Sequence, residues 1–303
     1  MFNEKTKKRF LNAVDLSQFP KSFWNNVFKK SEILEEQYNK DLYNFSKEQI
    51  LIWYKLLDSK SLEYLSVINY NIIKYVQWAL QESLIVDGMN HFAEITDDEI
   101  FECVNKYGLN SSIITKEELD NILFHIPSSR DKFVLLALFE GIKGINLDDV
   151  VNMKLDDINR SDNTVNLESG KKKKISNQLI QYAIESADEK CYDSISGRTY
   201  KYEERPGHPV KVVRRNGTKS AGDVITKVIR GEFDVIGVPR YVTFNSIYTS
   251  GLIHQINQFA DQDNVSAAEV LNNPVYLDYL KNQYGHNKSI NKRFLLKYKE
   301  FLR

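Results

Sequence analysis

The chain has 303 residues, 42% apolar and 27% charged, a globular composition long enough for two domains with separate cores. Basic and acidic residues both number 41, so the formal net charge is zero, and there is none of the global positive charge that would by itself point to a nucleic-acid partner. With 13 Gly and 6 Pro there is little room for low-complexity tails; the longest apolar run, FVLLALFEGI from Phe133, has core-helix rather than membrane-span length, and the basic N-terminus lacks the apolar segment of a signal peptide.

In chain order, the first ~110 residues read as helix. The segment SKEQILIWYKLL has a helical apolar period, with Ser46 as its N-cap. From Ser61, Leu65, Ile68, Ile72, Val76 and Leu80 recur at three- and four-residue intervals. Thr96 with Glu99, and Thr115 with Glu118, have the spacing of capping boxes. The turn-rich NKYGLNSSI between them marks the expected boundary, giving a helical domain over 1–112 and a second domain over 113–303.

Beyond Thr115 come the helical segments KEELDNILFHI and RDKFVLLALFEGI. The stretch DNTVNLESGKKKKISNQL alternates around Val165 and Leu167 and breaks at Ser169-Gly170, as a short hairpin does. Helices resume with QLIQYAIESA, GDVITKVIRGEF and FNSIYTSGLIHQINQFA. The expected fold class is mainly α with one small β-sheet. At the end, Phe294, Leu295, Tyr298, Phe301 and Leu302 form the apolar stripe of an amphipathic helix.

Charge along this chain is segregated. Lys171 to Lys174 are consecutive, KVVRRNGTKS holds four cations and no acid, and NKSINKRFLLKYKEFLR holds six cations and one acid. Acids collect in EITDDEIFE and DQDNVSAAE, the pattern of a nucleic-acid face with a solvated acidic back. Candidate DNA contacts are Lys29, Lys30, Lys171, Lys172, Lys173, Lys174, Lys211, Arg214, Arg215, Lys219, Lys288, Lys292 and Arg293. In the first half Lys5, Lys7, Lys8 and Arg9 join them, and WNNVFKK offers amides for base edges. The histidines His91, His125, His208, His254 and His286 and the cysteines Cys103 and Cys191 have no metal-ligand spacing, so neither metal nor cofactor is expected. Phosphate-loop and nucleophile-elbow motifs are absent, and Asp148-Asp149 and Asp156-Asp157 read as solvated or capping acids. The expected location is the cytoplasm.

This order of parts resembles the tyrosine recombinases, the phage-integrase group. A helical core-binding domain leads into a T-x-E-E helix, then a buried helix, a Gly turn, a hairpin with lysine, and a late Gly-His pair. The likeness is most specific over Lys143 to Asn159, where Gly144, Ile145, Asp149, Val150, Val151, Met153, Asp157 and Ile158 fall on like or identical residues. The family's first catalytic arginine falls on Asn146. Its later box meets VTFNSIYTSGL, placing the histidine on Asn245 and the second arginine on Tyr248. The hairpin lysine falls on Lys171, with the register among four lysines open. The Gly-His pair is Gly285-His286, and the nucleophile position, nine residues after the histidine, is Leu295; Tyr298 lies three residues later.

These departures bear on chemistry. Phosphodiester cleavage by a tyrosine needs fixed positive charge on the non-bridging oxygens, and one such arginine is worth about 10³–10⁵ in rate by analogy with other phosphoryl transfers. Asn and Tyr supply none. The resemblance therefore implies a recombinase fold without strand cleavage, clamping duplex DNA between its two domains. Taken whole, the chain resembles the recombinase-like lysogeny repressors of SPβ-type Bacillus phages, which implies operator binding and control of lytic genes. A divergent active recombinase using Tyr298, and a protein-interaction antagonist of one, are the alternatives. A regulatory protein or peptide partner, the operator sequence and the oligomeric state are left open.

Overall fold

Helix starts follow the capping chemistry of the sequence. Ser46 accepts from Gln49 N while Gln49 returns a bond to the Ser46 backbone, opening α3 (Lys47–Leu56). Thr96 with Glu99 and Thr115 with Glu118 build the same reciprocal box at α5 (Asp97–Glu102) and α7 (Lys116–His125). Each box satisfies amides that the helix itself leaves without acceptors, an effect of about 1 kcal/mol per cap. The computed structural model describes residues 1–14, 17–213, 221–287 and 291–303. These form two units, Met1–Leu109 and Asn110–Arg303.

The first unit is helical: α1 (Glu4–Ala13), α2 (Lys21–Tyr38), α3, α4 (Leu62–Gln81) and α5, with α6 (Lys106–Asn110) at the boundary. Its core is aromatic. Phe10 meets Trp24 edge-on at 4.8 Å, and Tyr75 stacks on Trp78 at 6.0 Å. Such pairs add about 0.5–1.5 kcal/mol to their area burial. Within this core Lys7 and Glu35, both 0% exposed, form an ion pair at 2.5 Å. Ser31 Oγ and Leu42 N also donate to Glu35, at 3.0 and 2.9 Å.

The second unit is built around α8 (Ser129–Phe139), whose side chains are nearly all buried. Against it pack α10 (Asn177–Asp188) and α12 (Phe244–Asp263). The hairpin strands β1 (Ile158–Asn159), β2 (Thr164–Asn166) and β3 (Lys172–Lys174) form one antiparallel sheet, with Val165 opposite Lys173. The short α9 (Asp148–Val151) precedes it. After α10 come β4 (Cys191–Asp193) and β5 (Thr199–Lys201), then α11 (Ala221–Ile236), and beyond α12 come α13 (Ala267–Val270), α14 (Pro274–Tyr284) and α15 (Asn291–Tyr298).

Two details differ from the sequence expectation. The strands β4 and β5 make a second antiparallel sheet where one was expected. Its signal was present: Tyr192, Tyr200 and Tyr202 flank a Ser-Gly turn, but three-residue strands rich in charge carry almost no periodicity. The C-terminal stripe is also shorter than the apolar spacing suggests. Helix α15 stops at Tyr298, and Phe301 and Leu302 lie beyond it. Asn257 Nδ2 donates to Phe301 O and Ala267 N donates to Arg303 O, both at 2.7 Å, holding these last residues on α12 and α13.

Candidate nucleic-acid interface

The β2–β3 hairpin shows how a run of four lysines is divided. Side chains alternate across a strand, so Lys172 and Lys174 face out while Lys173 faces in. The ammonium of Lys173 donates to Gln283 O at 2.6 Å and also to Gly141 O. Gln283 in turn joins the end of α8 to β3: its amide donates to Glu140 O at 2.5 Å and Lys174 O at 2.8 Å and accepts from Lys174 N at 3.1 Å. Gly141 has φ 87°, and a Cβ there would lie 2.4 Å from Gln283 O, so this approach needs glycine.

Beside Lys173 opens a cleft of about 490 Å³ whose wall includes Lys143, Lys171, Tyr248, Asp148, Asp149 and Glu168. Burial pushes Lys173 down to about 8, helped by Lys171 and opposed by Asp149. Burial also lowers Lys143, whose ammonium sits 5.5 Å from the Tyr248 ring. The Tyr248 hydroxyl donates to Tyr284 O at 2.6 Å, and burial with the Asp149 charge raises it to about 12. It is therefore neutral at ordinary pH and bonded to the backbone.

The six positions that align with the recombinase catalytic set are not gathered here. Lys171 and Tyr248 line the cleft; Asn146, Asn245 and Leu295 are not part of its wall. Asn146 is exposed and held, with Leu147, at positive φ (51° and 70°). Its carbonyl lies under α11, where a Cβ on Gly222 would come within 2.2 Å of it. Asn245 is exposed in the first turn of α12, its carbonyl accepting from Thr249 Oγ1 at 2.9 Å. His286 is 2% exposed. Its Nε2 is 2.7 Å from Asn291 Oδ1 and its ring meets Phe294 edge-on at 5.2 Å. Burial lowers its pKa, which opposes a charged role. Leu295 is half-buried, and Tyr298 is buried with its ring 4.8 Å from Phe294.

The proposed DNA contacts separate by burial. Lys173 and Lys211 do not fit that role as read from charge alone. Lys173 is held between two carbonyls, and Lys211 donates to Ala187 O at 2.6 Å and to Glu189 O, closing the C-terminal end of α10. In the first unit Lys7 is likewise interior, in its ion pair with Glu35. Lys29, Lys30, Lys171, Lys172, Lys174, Lys292 and Arg293 are exposed. Lys174 also donates to Asp162 O at 3.1 Å, and Lys30 to Tyr64 OH at 3.2 Å. Arg214, Arg215, Lys219 and Lys288 lie outside the described residues.

Sequence reasoning missed Lys143 in the cleft. Its signal was adjacency: it directly precedes the Gly144 segment that carries the family likeness. A second polar cleft of about 430 Å³ shares Glu168 with the first and adds Lys154, Arg205 and His208. Arg205 is held there by Val151 O at 2.7 Å and Asn152 Oδ1 at 3.1 Å. Chemically, the first cleft offers ammonium groups to an anion, partly offset by three carboxylates. Among the described residues it offers no guanidinium and no free tyrosine hydroxyl. Among the described residues no cluster of His, Cys, Asp and Glu could hold a metal, and no helix is long and apolar enough to cross a membrane.

Two family models match this chain. One, described as MrpR, N-terminal core-binding domain, matches residues 1–81; the other, described as MrpR, C-terminal catalytic domain, matches residues 113–302. The chain is also 27% identical over 281 residues to the SPbeta prophage-derived uncharacterized protein YopR of Bacillus subtilis (strain 168), covering 88% of this chain and 84% of that protein.

Proposed function

This chain belongs to the MrpR family and has the tyrosine-recombinase fold, and on that premise we propose that it is a double-stranded DNA-binding regulator, a phage repressor that maintains lysogeny without cleaving DNA. One observation carries the reading. Where the family places its second catalytic arginine, Tyr248 donates its hydroxyl to Tyr284 O, and the cations around it are lysines. Ammonium groups attract phosphate as point charges and suit binding. Among the described residues, no arginine lines this cleft to make the bidentate, permanently charged contact that stabilises a pentavalent phosphorus. Exposed Lys171, Lys172, Lys292 and Arg293 supply further phosphate contacts that hold the duplex without reading it.

The test is a gel-shift titration of the full chain against promoter fragments of an SPβ-type prophage over a salt series, with random duplex as competitor. Preferential retention of one or more fragments is expected, with log affinity falling by about 0.9 per phosphate contact for each unit of log salt. A suicide duplex run on a denaturing gel gives no covalent adduct. Equal affinity for random DNA would overturn the repressor reading, and an adduct would overturn the non-cleaving one.

A further inference from the structure

The outward face of α2, which holds Lys29 and the amides of WNNVFKK, lies opposite the stripe that packs into the first unit. Its inward stripe is Trp24, Val27, Phe28, Ser31, Leu34 and Glu35. At about 100° per residue the opposite face carries Ser22, Asn25, Asn26, Lys29 and Ile33, and all five are exposed. Asn25 and Asn26 form no side-chain hydrogen bond with any described residue. Ile33 is 74% exposed, a branched aliphatic residue standing alone on a polar face.

Charge on this helix is graded along its length. From Lys21 to Ser31 there are three lysines and no acid. The acids follow: Glu32 bonded to the terminal ammonium of Met1, Glu35 inside with Lys7, and Glu36 exposed in the last turn. Three turns therefore present amides, a hydroxyl and an aliphatic group with cations alongside. That inventory matches a base-pair edge better than a protein surface, where one isolated isoleucine makes no apolar patch.

We propose that the Ser22–Ile33 face of α2 reads A·T base pairs in the major groove, with Asn25 and Asn26 pairing with adenine and Ile33 packing on a thymine methyl. The proposal rests on the DNA-binding reading above and adds to it the reading element and the base class. An asparagine amide matches the N6 donor and N7 acceptor of adenine, and a methyl group is the apolar mark of thymine in that groove. The face is about 17 Å long and spans about five base pairs. Lys29 stands within the face, and Lys21 and Lys30 flank it on either side towards the phosphates.

The test is selection from a randomised 20-bp duplex library by the full wild-type chain and by Asn25→Ala/Asn26→Ala and Ile33→Ala, with thermal unfolding to confirm folding. Wild type enriches a site containing adenines. The double variant loses its preference at two of those positions by about five-fold or more each, while non-specific affinity and salt slope stay unchanged because no charge is removed. Replacing thymine by uracil at one position weakens wild type and leaves Ile33→Ala indifferent. A folded double variant that enriches the same site with the same preference overturns the assignment of this face and leaves the DNA-binding reading standing. Wild type that enriches no site overturns the operator-binding reading and this proposal together.

Discussion

The face of α2 and the β2–β3 hairpin are both lysine-bearing, yet they end in opposite chemical states. On α2 the outward groups Asn25, Asn26 and Lys29 are exposed and the charge that matters to the fold, Lys7 with Glu35, is hidden behind them. In the hairpin one lysine of four, Lys173, is taken into the unit and held by Gly141 O and Gln283 O. A basic run is thus two populations mixed by the strand period. A cation can meet DNA only after the fold's own unsatisfied carbonyls and carboxylates have been served.

The comparison is broken most forcefully by removing the interior cations. Lys7→Met leaves Glu35 buried without its counter-ion and is expected to destabilise by about 3–5 kcal/mol. Lys173→Met leaves two carbonyls short of a donor and is expected to cost about 2 kcal/mol. Lys172→Ala, on the outward face of the same strand, is expected to change stability by no more than about 0.5 kcal/mol. It lowers the salt slope of DNA retention by about 1. Denaturant unfolding of the three variants, with salt-series gel shifts on the last, checks the set. Equal stability losses at Lys173 and Lys172 would show that the inward and outward positions are not distinct.

A second difference concerns protons. Each unit buries two carboxylates beside one cation: Glu35 and Asp41 near Lys7, and Asp131 and Glu232 near Arg130. In the second unit Arg130 Nε donates to Asp131 at 2.7 Å and the guanidinium Cζ lies 4.5 Å from the Tyr192 ring centroid, while Tyr192 OH donates to Glu232. Burial raises Asp41 to about 6, with Lys7 opposing, and raises Glu232 to about 7, with the Asp131 charge adding to it. Both folded values lie above the ordinary carboxylate range, so each proton's stabilisation is complete below about pH 4. It fades as pH rises, through about 6 for Asp41 and about 7 for Glu232. Unfolding free energy is expected to fall by on the order of 2 kcal/mol between about pH 5 and about pH 8, and Glu232→Gln to flatten the upper part of that decline. An unchanged pH profile in Glu232→Gln would assign the proton elsewhere.

Much of the fold was legible because it is local. The three reciprocal caps at Ser46, Thr96 and Thr115 and the buried period of α8 are written in a few adjacent residues each. The segment of greatest family likeness, Lys143 to Asn159, supplies Lys143, Gly144, Ile145, Asp148 and Asp149 to the cleft wall, though the cleft itself was not read from the sequence. What could not be read is non-local. Nothing near Lys173 in the chain announces Gln283 as its acceptor, and nothing near Lys211 announces the carbonyls at the end of α10. The sequence marks both as cations; only packing decides that they face inward.

A substitution at Tyr298 separates packing from chemistry. Tyr298 lies on α15 with its ring against Phe294 and the Lys297 ammonium 5.1 Å from the ring centroid. Tyr298→Phe keeps the ring, its buried area and the ring contact, and removes the hydroxyl alone. The expected cost is about 1 kcal/mol or less, the net worth of one hydrogen bond, with DNA retention unchanged. A nucleophile would differ in one readout. Stability would be equally indifferent to the substitution, but a covalent protein–DNA adduct on a suicide duplex would form with tyrosine and vanish with phenylalanine. Because the side chain that aligns with the family's nucleophile is Leu295, half-buried one turn earlier, the packing outcome is the one the geometry of α15 supports.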